Sequence, residues 1–141
     1  MGTIVAIGGG DIRDKSTLAI DKEIIRLSKK KHPQLLFIPT ASSDSVSYWN
    51  IINRHFTKLG CKTDVLFLLS KISNEEIAKK ISTTDIIYVG GGNTLMMMKR
   101  WRKLGVDILL RRAWKQGKVL CGLSAGSICW FDSGHSDSLS F

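Results

Sequence analysis

"KVLCGLSAGSICWF", Lys118 to Phe131, climbs as an apolar run to Cys121 and meets Gly122. It then sets Ser124 among small residues and turns apolar again at helical spacing. A strand that enters a helix through so small a turn is a feature of α/β sheets, and the rest of the chain has the same rhythm. "TIVAIGGG" reads as a short buried strand ending in a glycine turn, "QLLFIPT" as a second strand stopped by Pro39, and "DVLFLL" as a third. "DIIYVGGGN" and "KVLCGLS" supply the fourth and fifth. Helices are predicted between them. Ser16 to Lys31 carries Ile20, Ile24 and Leu27 on one stripe, and Tyr48 to Leu59 carries Tyr48, Ile52, His55 and Leu59. Ser73 with Glu76 three residues on forms a capping box, and two helical pieces follow, joined near Gly105. The strands are continuous apolar runs separated by helices, which predicts a parallel sheet covered on both faces.

Composition sets the outer limits. The 141 residues make one domain, with 43% hydrophobic and 23% charged residues, ordinary for a soluble globular protein. No window has the length of a membrane span, and "MGTIVAIGGGD" has neither a basic leader nor a small-residue cleavage site. No membrane partner and a cytoplasmic location are therefore expected. Cys61, Cys121 and Cys129 are odd in number and lack metal-type spacing, so neither a disulfide framework nor a metal site is expected. The net charge of +9 gathers at helix ends and exposed faces, as in Lys29 to Lys31 and Lys99 to Lys103. No aromatic-and-basic platform accompanies it, so no nucleic-acid partner is expected. An anionic substrate is compatible with it.

In a parallel sheet, ligands bind beyond the carboxyl ends of the strands. Four segments end there in small or hydroxyl residues: Gly8 to Gly10, Pro39 to Ser43, Gly90 to Thr94 and Gly122 to Gly126. A dinucleotide fingerprint fails, because Arg13 stands where the third glycine must let helix and strand pack closely. "GLSAG" instead fits the GxSxG nucleophile elbow, with a strand before it and a helix after it. Gly122 and Gly126 would remove side chains that collide with neighbouring elements, and the turn would push the Ser124 oxygen out over the sheet edge. The amide of Ala125 would face an oxyanion formed by attack on a carbonyl. The competing structural role for Ser124 is a helix N-cap in a glycine-rich turn.

"VGGGNTL" (Val89 to Leu95), a pair of short helices and "GLSAGSICW" (Gly122 to Trp130) together resemble the peptidase E family of serine dipeptidases, to which cyanophycinase is related. "IGGG" at Ile7 to Gly10 and "FIPTAS" at Phe37 to Ser42 extend the resemblance over nearly the whole chain. It implies a three-layer α/β sandwich with a mostly parallel sheet, similar to class I glutamine amidotransferases (flavodoxin-like). It further implies Ser124 as nucleophile and the N–H groups of Gly92 and Ala125 as oxyanion hole. Gly91, Asn93 and Thr94 would lie beside the substrate. The implied reaction is hydrolysis of short peptides through an acyl-enzyme, in peptidase E after an N-terminal aspartate, with no cofactor.

A serine hydroxyl needs a base to take its proton. In the resembling family the histidine follows the serine after a further strand, whereas here only His135 follows Ser124. Three readings compete: residues 1–141 are a single domain incomplete at its C-terminal end, with the base missing; His135 is the base, oriented by Asp132 or Asp137; or the chain performs no chemistry. The first predicts a chain that is nearly inactive and self-associates through the uncovered surface. A non-catalytic module holding a small ligand, and an esterase or amidase acting on non-peptide substrates, are the alternatives to a peptidase.

Overall fold

In the computed structural model, which describes residues 1–136 and 138, five strands form one parallel sheet. They are β1 (Thr3–Ile7), β2 (Gln34–Ile38), β3 (Lys62–Val65), β4 (Ile86–Val89) and β5 (Val119–Leu123), in spatial order β1-β5-β4-β2-β3. The helices are α1 (Leu18–Leu27), α2 (Val46–Lys58), α3 (Asn74–Thr83), α4 (Thr94–Leu104), α5 (Val106–Lys115) and α6 (Ala125–Ile128); a 3₁₀ turn spans Thr40–Ser42. The α/β class and the parallel sheet agree with expectation.

Alternate residues of each inner strand feed two separate cores. Leu36, Ile38, Ile87, Val89 and Leu120 face Ile77, Met97, Trp101 and Leu110 from α3, α4 and α5. Leu35, Phe37, Ile86, Tyr88 and Cys121 face Ile24 of α1 and Ile52 and Phe56 of α2. Both faces of the sheet are therefore apolar, so its inner strands read as unbroken hydrophobic runs. Covered on both sides, the sheet is the middle of three layers. Gly105, with φ 72°, reverses the chain between α4 and α5 in a left-handed conformation that suits glycine. Ser73 caps α3, its hydroxyl accepting the Glu76 N–H at 3.1 Å.

Two strands differ from their sequence reading. β1 is an edge strand, and Thr3, Ile4 and Ala6 are exposed; it pairs with β5, and among the described residues no strand lies on its other side. Its apolar run reflects an open flank in place of the expected burial. β3 covers Lys62–Val65, whereas the apolar run "DVLFLL" starts at Asp64 and continues to Leu69. Leu66 and Leu68 are fully buried, but the Asp44 carboxylate draws the Leu68 and Leu69 amides away from any strand partner, at 3.3 and 2.7 Å. The run packs as loop because a side chain satisfies its backbone.

Candidate active site

β5 delivers its last residue, Leu123, to the carboxyl edge, and α6 starts at Ala125. Ser124 makes the turn with φ 54° and ψ −110°, a left-handed conformation that costs a residue with a Cβ of order 1–3 kcal/mol. Close packing on both sides imposes it. A Cβ at Gly126 would lie 2.0 Å from the Val89 carbonyl oxygen, and one at Gly122 would lie 2.3 Å from the Gly126 carbonyl oxygen. Both are impossible contacts with backbone, so β4, β5 and α6 meet only because these positions lack side chains. The Ser124 N–H donates to the Ile7 carbonyl at 3.0 Å, which ties the turn to β1.

Ser124 itself is exposed. It occupies the N-cap position of α6 yet makes no side-chain capping bond, so the capping role is not realised. Among the described residues, no hydrogen bond engages its Oγ or the amides of Ala125 and Gly92.

The glycine loop after β4 lies against this crest. A Cβ at Gly91 would be 3.4 Å from Ser124 Cβ and 3.3 Å from the Leu123 carbonyl oxygen. Gly92, with φ 142°, adopts a conformation that L side chains rarely reach, and a Cβ there would strike the Ala41 carbonyl oxygen at 2.1 Å. Asn93 donates its N–H to that same carbonyl at 2.8 Å, and its Oδ1 accepts the Met96 N–H at 2.9 Å, capping α4. Thr94 is the first residue of α4. Beneath the loop, the Trp101 indole N–H donates to Thr40 Oγ1 at 3.1 Å, which fixes the 3₁₀ turn to α4. Segments from β1, β2, β4 and β5 thus gather around Ser124.

In the sequence Tyr48 is only part of a helical stripe, and the structure brings it to this edge. A Cβ at Gly90 would lie 3.3 Å from its ring. Burial raises the pKa of the Tyr48 hydroxyl, the Gly91 amide opposes that rise, and the charge of Asp11 adds to it. A tyrosine one turn into a helix that follows a strand end is the only sequence signal that could have pointed to this role.

The downstream residues are arranged differently. His135 is exposed and, among the described residues, makes no hydrogen bond. Asp132 is exposed, and Asp137 lies outside the described residues. Ser138 accepts the Leu95 N–H at 3.2 Å, so the tail returns over the start of α4. A histidine–carboxylate pair does exist elsewhere. His55 Nε2 of α2 and Asp21 Oδ2 of α1 are 2.8 Å apart, and the Thr17 hydroxyl donates to the same oxygen at 2.9 Å. Burial raises the Asp21 pKa, and the bonds from Thr17 and His55 pull it back. This pair ties α1 to α2.

Among the described residues, no group of three or more His, Cys, Asp or Glu could hold a metal ion, and no helix is long and apolar enough to cross a membrane.

The family described as Peptidase family S51 matches residues 4–141. A Bacillus subtilis (strain 168) protein described as "Uncharacterized peptidase YgaJ" is 40% identical over 139 residues, which is 98% of this chain and 60% of the relative. An uncharacterized peptidase from Listeria monocytogenes is 33% identical over 94 residues, 65% of this chain and 45% of that one. Among solved structures, a peptidase from an acI-B1 Actinobacterium superposes with a TM-score of 0.78 at 23% identity, over 91% of this chain and 56% of that one. A Listeria monocytogenes EGD-e protein described as a peptidase E candidate does so with a TM-score of 0.68 at 23% identity, over 89% and 58%. The chain spans about 60% of the length of its Bacillus subtilis relative.

Proposed function

The chain belongs to peptidase family S51, and from that premise we propose that it carries the nucleophile and oxyanion hole of a serine hydrolase that cleaves short peptides. Ser124 Oγ loses its proton as it attacks the scissile carbonyl carbon, the C–N bond breaks and the amine leaves carrying a proton, and water then hydrolyses the acyl-enzyme to a carboxylic acid and free Ser124. The amides of Gly92 and Ala125, neither engaged within the described residues, receive the negative charge that develops on the carbonyl oxygen. Gly91 and Thr94 border the peptide, while Asn93 shapes the loop through its capping bond.

One observation carries this reading. Ser124 is held in a left-handed conformation at an exposed crest, with an Oγ that caps nothing. A serine needed only for a turn would be replaced by glycine or would use its hydroxyl as a cap.

Acid–base help is the weak half of the site. His135 is the histidine downstream of Ser124, and its exposed, unbonded side chain is not held to the roughly half-ångström tolerance that a catalytic constellation needs. Slow peptide turnover by residues 1–141 is expected, with Ser124 still reactive toward strong electrophiles. The test is labelling with an alkyl fluorophosphonate, followed by intact mass and peptide mapping. A single adduct on Ser124, absent in Ser124→Ala, supports the proposal; an unmodified Ser124 after prolonged exposure, in a folded protein, overturns it. Ligand-induced thermal stabilisation that persists after labelling would favour the binding-module alternative.

A further inference from the structure

The Gly92 amide is placed by a neighbour that comes from a different strand end. Its Cα rests on the Ala41–Ser42 peptide: a Cβ on Gly92 would lie 2.1 Å from the Ala41 carbonyl oxygen and 2.9 Å from the Ser42 nitrogen. The same Ala41 carbonyl accepts the Asn93 N–H at 2.8 Å. One peptide unit of the 3₁₀ turn therefore sets both the close approach of Gly92 and the peptide plane that follows it. A shift of Ala41 moves the Gly92 N–H as well.

That turn does not stand alone. The Ser42 and Asp44 N–H groups donate to the Pro39 carbonyl at 3.2 and 3.0 Å, and the Ser43 N–H donates to the Thr40 carbonyl at 3.0 Å. The chain then leaves through Ser43 and Asp44, whose φ values of 57° and 55° make two successive left-handed residues with a Cβ. Backbone of this kind persists only where its surroundings over-determine it. The Asp44 carboxylate supplies one support, through the Leu68 and Leu69 amides. The bond from Trp101 Nε1 to Thr40 Oγ1, at 3.1 Å, supplies the other, and it is the one next to Ala41. Thr40 is 0% exposed and Trp101 1%, so bulk water cannot replace either partner.

Trp101 lies two turns into α4, the helix that Asn93 caps. The contacts close a circuit: from Gly92 to Asn93, along α4 to Trp101, across to Thr40, and through Ala41 back to Gly92. The Trp101 ring also meets Trp130, in the segment after α6, with centroids 6.3 Å apart and planes at 41°. Ala41, Trp101 and Ala125 belong to one apolar cluster. Trp101 thus stands between the carriers of both amides assigned to the oxyanion.

We propose that Thr40 and Trp101 are positioning residues, whose buried hydrogen bond holds the Ala41 carbonyl where it fixes the Gly92 amide for the oxyanion. The inference rests on the serine hydrolase reading.

Three variants test it. Thr40→Val keeps the shape and removes the hydroxyl, Thr40→Ser keeps the hydroxyl, and Trp101→Phe removes the donor from the other side. Ser124 labelling is followed at several concentrations of alkyl fluorophosphonate, below every melting midpoint, to separate the maximal rate from the half-saturating concentration. Thr40→Val should lower the maximal rate about tenfold at an unchanged half-saturating concentration; removing an oxyanion donor outright costs more, about 10²–10³. Trp101→Phe should match it, and Thr40→Ser should return close to the parent rate. A bond that serves stability alone would lower the midpoint and leave the maximal rate in place. A parental maximal rate in folded Thr40→Val or Trp101→Phe overturns this inference and leaves the hydrolase standing. So does a Thr40→Ser variant as slow as Thr40→Val, or failure of both Thr40→Val and Trp101→Phe to fold. A parent chain whose Ser124 stays unlabelled overturns both readings.

Discussion

Ser124 and His55 both carry groups that enzymes use, and they live under opposite conditions. Ser124 is exposed, backbone-strained and unbonded through its side chain. His55 is mostly buried, has regular helical backbone and is bonded to a carboxylate that a threonine also holds. In the proposed reaction the first is a nucleophile without a fixed base, whereas the second is a histidine–carboxylate pair with no reactive group beside it. The difference separates reactivity from stability. A hydroxyl kept free at a crest lowers stability and leaves the group available, whereas the Asp21–His55 pair is a buried polar contact in which Asp21 Oδ2 is bonded twice and Oδ1 has no partner among the described residues. A histidine beside an aspartate is therefore not evidence of catalysis until something that can react stands next to it.

The sharpest break in that comparison comes from beneath Ser124. In Gly126→Ala the new methyl meets the Val89 carbonyl at an impossible distance, and backbone on both sides leaves little room to yield. A loss of about 3 kcal/mol is expected, a melting midpoint lower by roughly 10 °C, together with lost phosphonate labelling. A variant as stable and as reactive as the parent would show that the crest does not depend on this packing.

The His55 side is probed by pH. Burial raises the Asp21 pKa in the folded protein. Its stabilising contribution is thus complete below the ordinary carboxylate pKa and is lost as pH rises through the elevated folded value. Asp11, Glu23 and Asp85 are shifted down and act in the opposite sense, so the informative quantity is the difference between parent and Asp21→Asn. Urea denaturation across the acid range should show the variant gaining on the parent as pH rises. A constant difference would mean that Asp21 ionises as it does in the unfolded chain.

The smallest effect sharpens the contrast most directly. Ser124→Gly removes the strained Cβ at φ 54° and, after the entropic cost of a glycine, should stabilise by about 1 kcal/mol while abolishing labelling. Scanning calorimetry would then show a midpoint higher by roughly 3–4 °C. A destabilised glycine variant would mean that the serine is structural after all.

The parts that could be read in advance are those whose causes are local. Gly122, Ser124 and Gly126 announce the crest because a strand-to-helix turn makes its steric demands within five residues, and Ser73 and Gly105 act within a single turn. Tyr48 could not be recognised because its place at this edge lies in a contact with Gly90, far away in sequence. The bounds of β3 were hidden for the same reason, since Asp44 decides where Leu68 and Leu69 place their amides. The exposure of β1 depends on what else pairs in the sheet, and an apolar pentapeptide does not encode that.

The pairing of Thr3 with Val119, and of each following β1 residue with β5, has a consequence for how the molecule is made. β1 cannot pair until β5 has been made, with β2, β3 and β4 lying between them in the sequence. Helices and the β2–β3 contact can form during that interval, so the β1–β5 pairing closes a very long loop at an entropic cost. An apolar strand held open for so long is exposed to wrong pairing while the domain folds.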